Sequence, residues 1–366
     1  MLYFLTFLIY LVDIKLKVTD KGAYVMQKII VPISKCIPGM ITSGPIIDLK
    51  TGTTIVGQNQ ELTPEHIKNI QNFVHTDIWV YLDSFNKVWN LPVETIENYK
   101  KYSSALMAVV NQMDQKDTSL LDISDFEALC QDLPTDFTAN YSLLGCTNLI
   151  EQLDCNTYNH SLNVAFISML ICRWCNLDNH LIASAIKAGL LHDIGLLNLS
   201  FDPFDPSFTR NADEQAEYEK HPIYSYNLVS KLKDLDPIIP KAILAHHEHC
   251  DGSGFPVHIS SPYINLLGKI LGLADTYDLL RHKHHIFDTL KILLLDLLPQ
   301  FDPKLLLTFC TNIATYYVGT FVILNTGEIG EVVFVNPQCL YRPIIKINDR
   351  FINLYEHNEI DIIAIK

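Results

Sequence analysis

The segment His246-His-Glu-His-Cys-Asp-Gly-Ser-Gly-Phe-Pro256 decides the reading of this chain. It opens on two adjacent histidines and closes in a turn built of Gly252, Gly254, Phe255 and Pro256. Neighbours on a helix diverge by about 100°, so His246 and His247 can address two different centres. The glycines and the proline set backbone geometry for a tight turn. Glu248 and Asp251 lie inside it and read as outer-layer or turn residues rather than direct ligands.

Working outward, a second doublet, His192-Asp193, lies upstream, with His160, His221 and Asp275 around it. Successive members are separated by roughly one helical hairpin, so each helix of a bundle can offer a ligand to one cavity. Amphipathic periodicity supports helices over 161–173, 180–191, 213–232, 240–249 and 264–281. Imidazole nitrogens and carboxylate oxygens suit iron, manganese or zinc. Asp193, with two oxygens, is the natural bridge between a pair of ions.

The flanks read differently. Residues 28–92 form a small β-rich module, with β-branched runs at 28–31 and 53–56, turns at Gly39, Gly44 and Gly52, and a helix start at Thr63-Pro64. Residues 93–149 form a helical connector, with breaks at Pro92 and Pro134. The metal domain is expected over 150–312 and a small β appendage over 313–366, where the period switches to two around Gly327 and Gly330. The expected fold class is therefore mainly α, a helical bundle between two small β-rich modules.

Residues 1–27 read as a leader. The apolar run at 2–12 is short against the ~20 residues of a membrane span, so no stable span is expected. Translation is expected to start at Met26, with a short membrane anchor as the alternative reading of this stretch.

Apolar residues make up 48% of the 366 and charged residues 19%, which suits a folded protein and excludes extensive disorder. The net charge of −14 repels a nucleic-acid polymer, whereas a small anion can still be drawn by bound cations. Nine scattered cysteines read as reduced thiols in the cytoplasm. Cys172 and Cys175 form a C-x-x-C without a second pair and read as structural.

These motifs resemble a family. His192-Asp-Ile-Gly195 resembles the HD motif of metal-dependent phosphohydrolases, and the segment from His246 to Pro256 resembles the HHExxDGxGYP signature of the HD-GYP subgroup. His160-Ser161, His221-Pro222 and Leu273-Ala-Asp275-Thr-Tyr-Asp278 follow in family order. The resemblance implies hydrolysis of cyclic di-GMP to pGpG or GMP. It implies His160, His192, Asp193, His221, His246, His247 and Asp275 as metal ligands, with Asp193 catalytic. It implies two divalent ions, iron or manganese. Members with three ions carry a glutamate where this chain has the neutral Asn156.

The chain also departs from the pattern. Leu196 stands where the family has a lysine near the scissile phosphate, and Phe255 replaces the signature tyrosine. No arginine-rich segment follows Asp278, which leaves Arg281, Lys283 or His284 to contact phosphate. His282, His284 and His285 otherwise form a solvated or adventitious cluster. These departures set up two further readings. One is a catalytically weak sensor of cyclic dinucleotides that docks with signalling proteins. The other is a hydrolase of a different phosphoester.

Overall fold

The computed structural model describes residues 28–31, 36, 38, 40–48, 51, 53–73, 78–81, 93–115, 124–136, 157–203, 209–233, 235–348 and 350–365. The leader with its expected start at Met26, Gly39, Gly52, Pro92, Cys146, Cys155 and Asn156 lie outside them. The chain divides into two compact units between Phe85 and Asn86.

In the first unit, β1 (Lys28–Val31) pairs antiparallel with β4 (Ile78–Tyr81), and β2 (Ile46–Ile47) with β3 (Thr54–Val56). Helix α1 (Pro64–Phe73) starts where Thr63 Oγ1 accepts the His66 amide at 3.1 Å. Met40, Val56, Leu62, Ile70 and Val80 form its core.

The second unit is helical, with a terminal sheet. It runs through α2 (Val93–Gln115), α3 (Ser124–Asp136), α4 (Thr157–Trp174) and α5 (Asn179–Leu191). A 3₁₀ turn (Ile194–Asn198), α6 (Ala212–Tyr218), α7 (His221–Val229) and α8 (Ile238–Leu244) follow. Then come α9 (Leu266–Arg281), α10 (Ile286–Lys291) and α11 (Pro303–Tyr316). The last strands are β5 (Phe321–Leu324), β6 (Ile329–Asn336), β7 (Cys339–Ile347), β8 (Arg350–Asn353) and β9 (Ile362–Ile365). They form one antiparallel sheet in the order β8-β7-β6-β5-β9.

Helix α4 is the axis. Its residues from Asn159 to Cys172 are buried on every side, as in a helix surrounded by others. Gly189 of α5 lets the two helices cross closely; a Cβ there would stand 2.4 Å from the Ala165 Cα.

The connector helices belong to the same core. Tyr99, Tyr102 and Leu106 of α2 and Phe126 and Leu133 of α3 are buried in one cluster with α4, α5 and the sheet residues Val322, Val332 and Ile345. Pro134 does not break α3 but lies within its last turn.

Two expected helices are shorter than their periodicity suggests. The stretch 213–232 is split at Glu219 and Lys220, because Pro222 cannot donate an amide to the preceding turn and its ring opposes continuation. Proline instead opens α7 in its first turn. The stretch expected at 240–249 ends at Leu244, so His246 and His247 lie just past a helix end.

The run Asn179–Asn198 is long and apolar enough to cross a membrane, yet 67% of it is buried within this fold. It carries His192 and Asp193 inward.

Candidate metal centre

The seven residues converge. His160 stands near the start of α4, His192 caps the C-terminus of α5, Asp193 follows it and His221 opens α7. His246 and His247 follow α8, and Asp275 lies in the middle of α9. His160, His192, Asp193, His221, His246 and Asp275 are all at most 5% exposed.

Three of the histidines are aimed by one device. The last carbonyls of a helix lack an intrahelical amide partner. His192 Nδ1 donates to Gly189 O at 2.9 Å, His221 Nδ1 to Tyr218 O at 2.7 Å and His246 Nδ1 to Ile243 O at 2.5 Å. In each case the acceptor is three residues upstream, in the last turn of α5, α6 or α8. This bond fixes the tautomer and leaves Nε2 pointing inward as a ligand atom. His160 uses a carboxylate instead, donating Nδ1 to Asp278 Oδ2 at 2.8 Å.

Asp193 lies between two groups. Its Oδ2 is 3.3 Å from His192 Nε2 and 3.6 Å from His160 Nε2. Its Oδ1 is 3.2 Å from His221 Nε2 and 3.7 Å from His246 Nε2. Asp275 Oδ1 is 3.0 Å from His160 Nε2, and its Oδ2 is 3.5 Å from His247 Nδ1. Ligand atoms of His160, His192 and Asp275 fall within 4.8 Å of one another, and so do those of His221, His246 and His247.

Such a set fits cations. His192 Nε2 and Asp193 Oδ1 are buried without a hydrogen-bond partner, which is costly unless something positive or polar sits between them. Burial disfavours charge on His246 and, with His192 and His221 beside it, pushes it down to about 3. Burial and its histidine neighbours also hold His247 well below the ordinary imidazole range. Burial works against charge on His160 too, but the Asp275 and Asp278 carboxylates raise it well above that range. Burial pushes Asp193 upward, and His192 and His221 outweigh it, so the carboxyl lies well below its usual value. Neutral imidazole and ionised carboxylate are the forms that bind metal; His246, His247 and Asp193 already favour them, and His160 would release its proton on binding.

An outer layer braces these ligands. Asp278 Oδ1 accepts from Asn163 Nδ2 at 2.8 Å, and Tyr99 of α2 donates to Asn163 Oδ1 at 3.3 Å. Two close approaches let the helices meet. A Cβ on Gly195 would stand 2.3 Å from His221 O, and one on Gly272 would stand 2.4 Å from His246 O.

The signature turn is pinned from within. Glu248 accepts the amides of Val257, His258 and Ile259 at 2.6, 3.1 and 2.9 Å, and Asp251 accepts from the Ser253 amide and hydroxyl. Gly252 adopts φ +81°, and Phe255-Pro256 is cis. The Phe255 ring lies 4.5 Å from that of His247.

Other expected residues are used elsewhere. Arg281 is buried at the end of α9 and donates Nη1 to His284 O at 2.7 Å, which turns that edge of the guanidinium toward the chain's own backbone. Lys283 is exposed in the turn that follows. The three clustered histidines part ways: His282 faces Asp278, and His285 caps α10 and reaches Ile362 O. Cys172 is buried in α4, which pushes its thiol up to about 12 and fits a structural role. Leu196 is buried beside Asp193 and lines a mixed cleft of about 120 Å³ with Leu106, Val110, Leu190, Phe201, Ser161 and Asp202.

Sequence reading missed Asn163, Asp278 as a ligand's partner, Tyr218 and Arg210. The first two had a signal: Asn163 follows His160 by three residues and Asp278 follows Asp275 by three, so each pair shares a helix face.

Residues 146–294 match the HD domain family. This stretch resembles an HD domain. It contains all seven converging residues and the pinned turn. A cyclic di-GMP phosphodiesterase of Pseudomonas aeruginosa is 27% identical over 203 residues, 52% of this chain and 47% of that protein. The cyclic di-GMP phosphodiesterase PdeB of Borreliella burgdorferi is 28% identical over 213 residues, 55% of each chain. A 3'3'-cGAMP-specific phosphodiesterase of Vibrio cholerae is 32% identical over 124 residues, 34% of this chain and 27% of that protein. The chain thus spans about half the length of the first two relatives.

Proposed function

We propose that this chain is a two-metal phosphodiesterase that hydrolyses cyclic di-GMP to pGpG or GMP. The observation that carries the reading is the division of Asp193, whose Oδ2 faces His160 and His192 while Oδ1 faces His221 and His246. One carboxylate with two separately surrounded oxygens suits a bridge.

In this reading His160, His192, Asp193 and Asp275 would hold one ion, and Asp193, His221, His246 and His247 would hold the other. A bound pair of divalent ions, iron or manganese by donor type, acidifies water and neutralises the phosphodiester. The chain's own residues do the rest. Backbone carbonyls keep the Nδ1 protons of His192, His221 and His246, so Nε2 stays free as a donor atom. Asp278 does the same for His160. Glu248 holds the turn that lays Phe255 over His247 on the solvent side of the centre. A cytoplasmic setting, where such a nucleotide is a signal, belongs to the same proposal and agrees with the seven described cysteines being free.

The test is turnover. Protein purified without oxygen and loaded with ferrous iron or manganese is given cyclic di-GMP, and products are separated by chromatography. Metal-dependent pGpG or GMP, absent from Asp193→Ala, upholds the reading; no product from metal-loaded protein overturns it. A second reading rests on Leu196, a buried leucine beside Asp193 where charge is useful. It is a dinucleotide sensor that binds without turnover and passes the signal to a protein partner. Tight binding with no product would select it. Running 3'3'-cGAMP alongside tests another phosphodiester on the same site.

A further inference from the structure

A phosphodiester reaching this centre meets leucine at 196, while Arg281 is engaged elsewhere. The chain's net charge of −14 makes any cation placed at the centre informative. Arg210 is one such cation. Its guanidinium carbon lies 4.1 Å from the centroid of the Tyr218 ring. That ring is 4.8 Å from His221 and 6.2 Å from both His247 and Phe255. Tyr218 also supplies the carbonyl that orients His221.

The guanidinium is held at one end only. Arg210 Nε donates to Gln215 Oε1 at 3.0 Å, and Gln215 Nε2 donates to Glu219 Oε1 at 2.9 Å. The two terminal nitrogens have no hydrogen-bond or ion-pair partner among the described residues. A guanidinium stacked on an aromatic face keeps its edge available, and its fork matches phosphate oxygens.

We propose that Arg210, stacked on Tyr218, is the substrate-binding cation of this site and takes a non-bridging oxygen of the phosphodiester. The assignment rests on the phosphodiesterase reading for its substrate, but not for its anion. Tyr218 is a positioning residue: it carries Arg210 on its ring and orients His221 through its carbonyl. A purely structural Arg210, tying the start of α6 to Tyr218, would affect folding and leave anion affinity alone.

The experiment uses the full chain loaded with manganese. Arg210→Gln, Arg210→Lys and Tyr218→Leu are compared with wild type in two readouts. One is KM and kcat for cyclic di-GMP; the other is inorganic phosphate affinity by calorimetry. Metal content and thermal midpoint are checked on each. Loss of a charge-assisted hydrogen bond predicts a roughly 10- to 100-fold rise in KM and in the phosphate Kd for Arg210→Gln. Arg210→Lys regains part of both, and Tyr218→Leu loses part of both. Should Arg210→Gln not fold, Arg210→Lys and Tyr218→Leu carry the same phosphate comparison. Phosphate affinity that falls with Arg210→Gln, in a wild type that hydrolyses no cyclic dinucleotide, upholds Arg210 and overturns the substrate. Turnover in wild type with equal KM and phosphate affinity in every variant overturns Arg210 and leaves the enzyme standing. Absence of phosphate binding to wild type also overturns Arg210.

Discussion

His160 and Asp278 are joined through Nδ1 and Oδ2 at 2.8 Å, on the side of the ring away from the centre. The opposite nitrogen, Nε2, lies 3.0 Å from Asp275 Oδ1. Two carboxylates of one helix, three residues apart, thus hold one imidazole between them. Asp275 serves the centre directly and Asp278 through His160.

Asp278→Asn should therefore weaken the centre without removing a ligand. Losing such an outer carboxylate typically costs about 10- to 100-fold in metal affinity. Chelator competition on the two proteins measures it, and equal affinities would remove Asp278 from the account.

The same carboxylate sets an acid limit in the metal-free protein. Burial opposes its charge, but hydrogen bonds from His160 and His282 bring Asp278 to about 2, below the ordinary 3.8. A depressed carboxyl stabilises the fold above the unfolded value and loses that contribution as pH falls through the folded one. Asp278 should supply about 2 kcal/mol near neutrality, fading from about pH 4 toward pH 2. Urea unfolding of wild type and Asp278→Asn should show a gap at pH 6 that narrows by pH 3; a gap constant with pH would contradict the linkage.

Gly195→Ala tests the close approach behind His221. The added methyl would stand 2.3 Å from His221 O and 2.5 Å from the Ser225 amide, both backbone atoms that cannot swing away. Overpacking of this kind costs about 1–3 kcal/mol and should displace α7. A lower melting midpoint together with lost metal is expected. Unchanged metal content would show that α7 tolerates the shift.

Glu248→Ala should loosen the signature turn while sparing the ligands. Three amides, of Val257, His258 and Ile259, lose their acceptor. Part-buried donors left without partners cost about 1–3 kcal/mol each, reduced where water reaches them. Hydrogen exchange at these amides should accelerate selectively. Protection equal to wild type would mean that the turn holds itself.

Much of the centre was legible in the sequence, because ligation needs particular atoms that other side chains cannot supply. His160, His192, Asp193, His221, His246, His247 and Asp275 stand out by chemistry and by hairpin spacing. Their local geometry was less legible. Periodicity runs through Glu219 and Lys220, and only Pro222 signals the restart that places His221 at a helix N-terminus. His246 likewise lies past the end of α8, where the Ile243 carbonyl orients it. Helices α2 and α3 looked like a connector because amphipathic pattern does not say which partner a face will meet; Tyr99, Leu106 and Phe126 pack into one core with α4 and α5. Tyr218 read as an ordinary helix aromatic and Arg210 as a loop charge, since their pairing arises only from the fold. Arg281 is a cation at a plausible position, but it is buried at a helix end and gives one donor to the His284 carbonyl.

The central claim is a pair of ions bridged by Asp193, and metal stoichiometry tests it most directly. Wild type and Asp193→Ala, purified without oxygen and loaded with manganese, would be dialysed and measured for metal per folded chain. The account predicts about two ions in wild type and fewer than one in the variant, because both half-sites lose a ligand. A wild type that holds only one ion, or a variant that keeps two, would contradict the bridge.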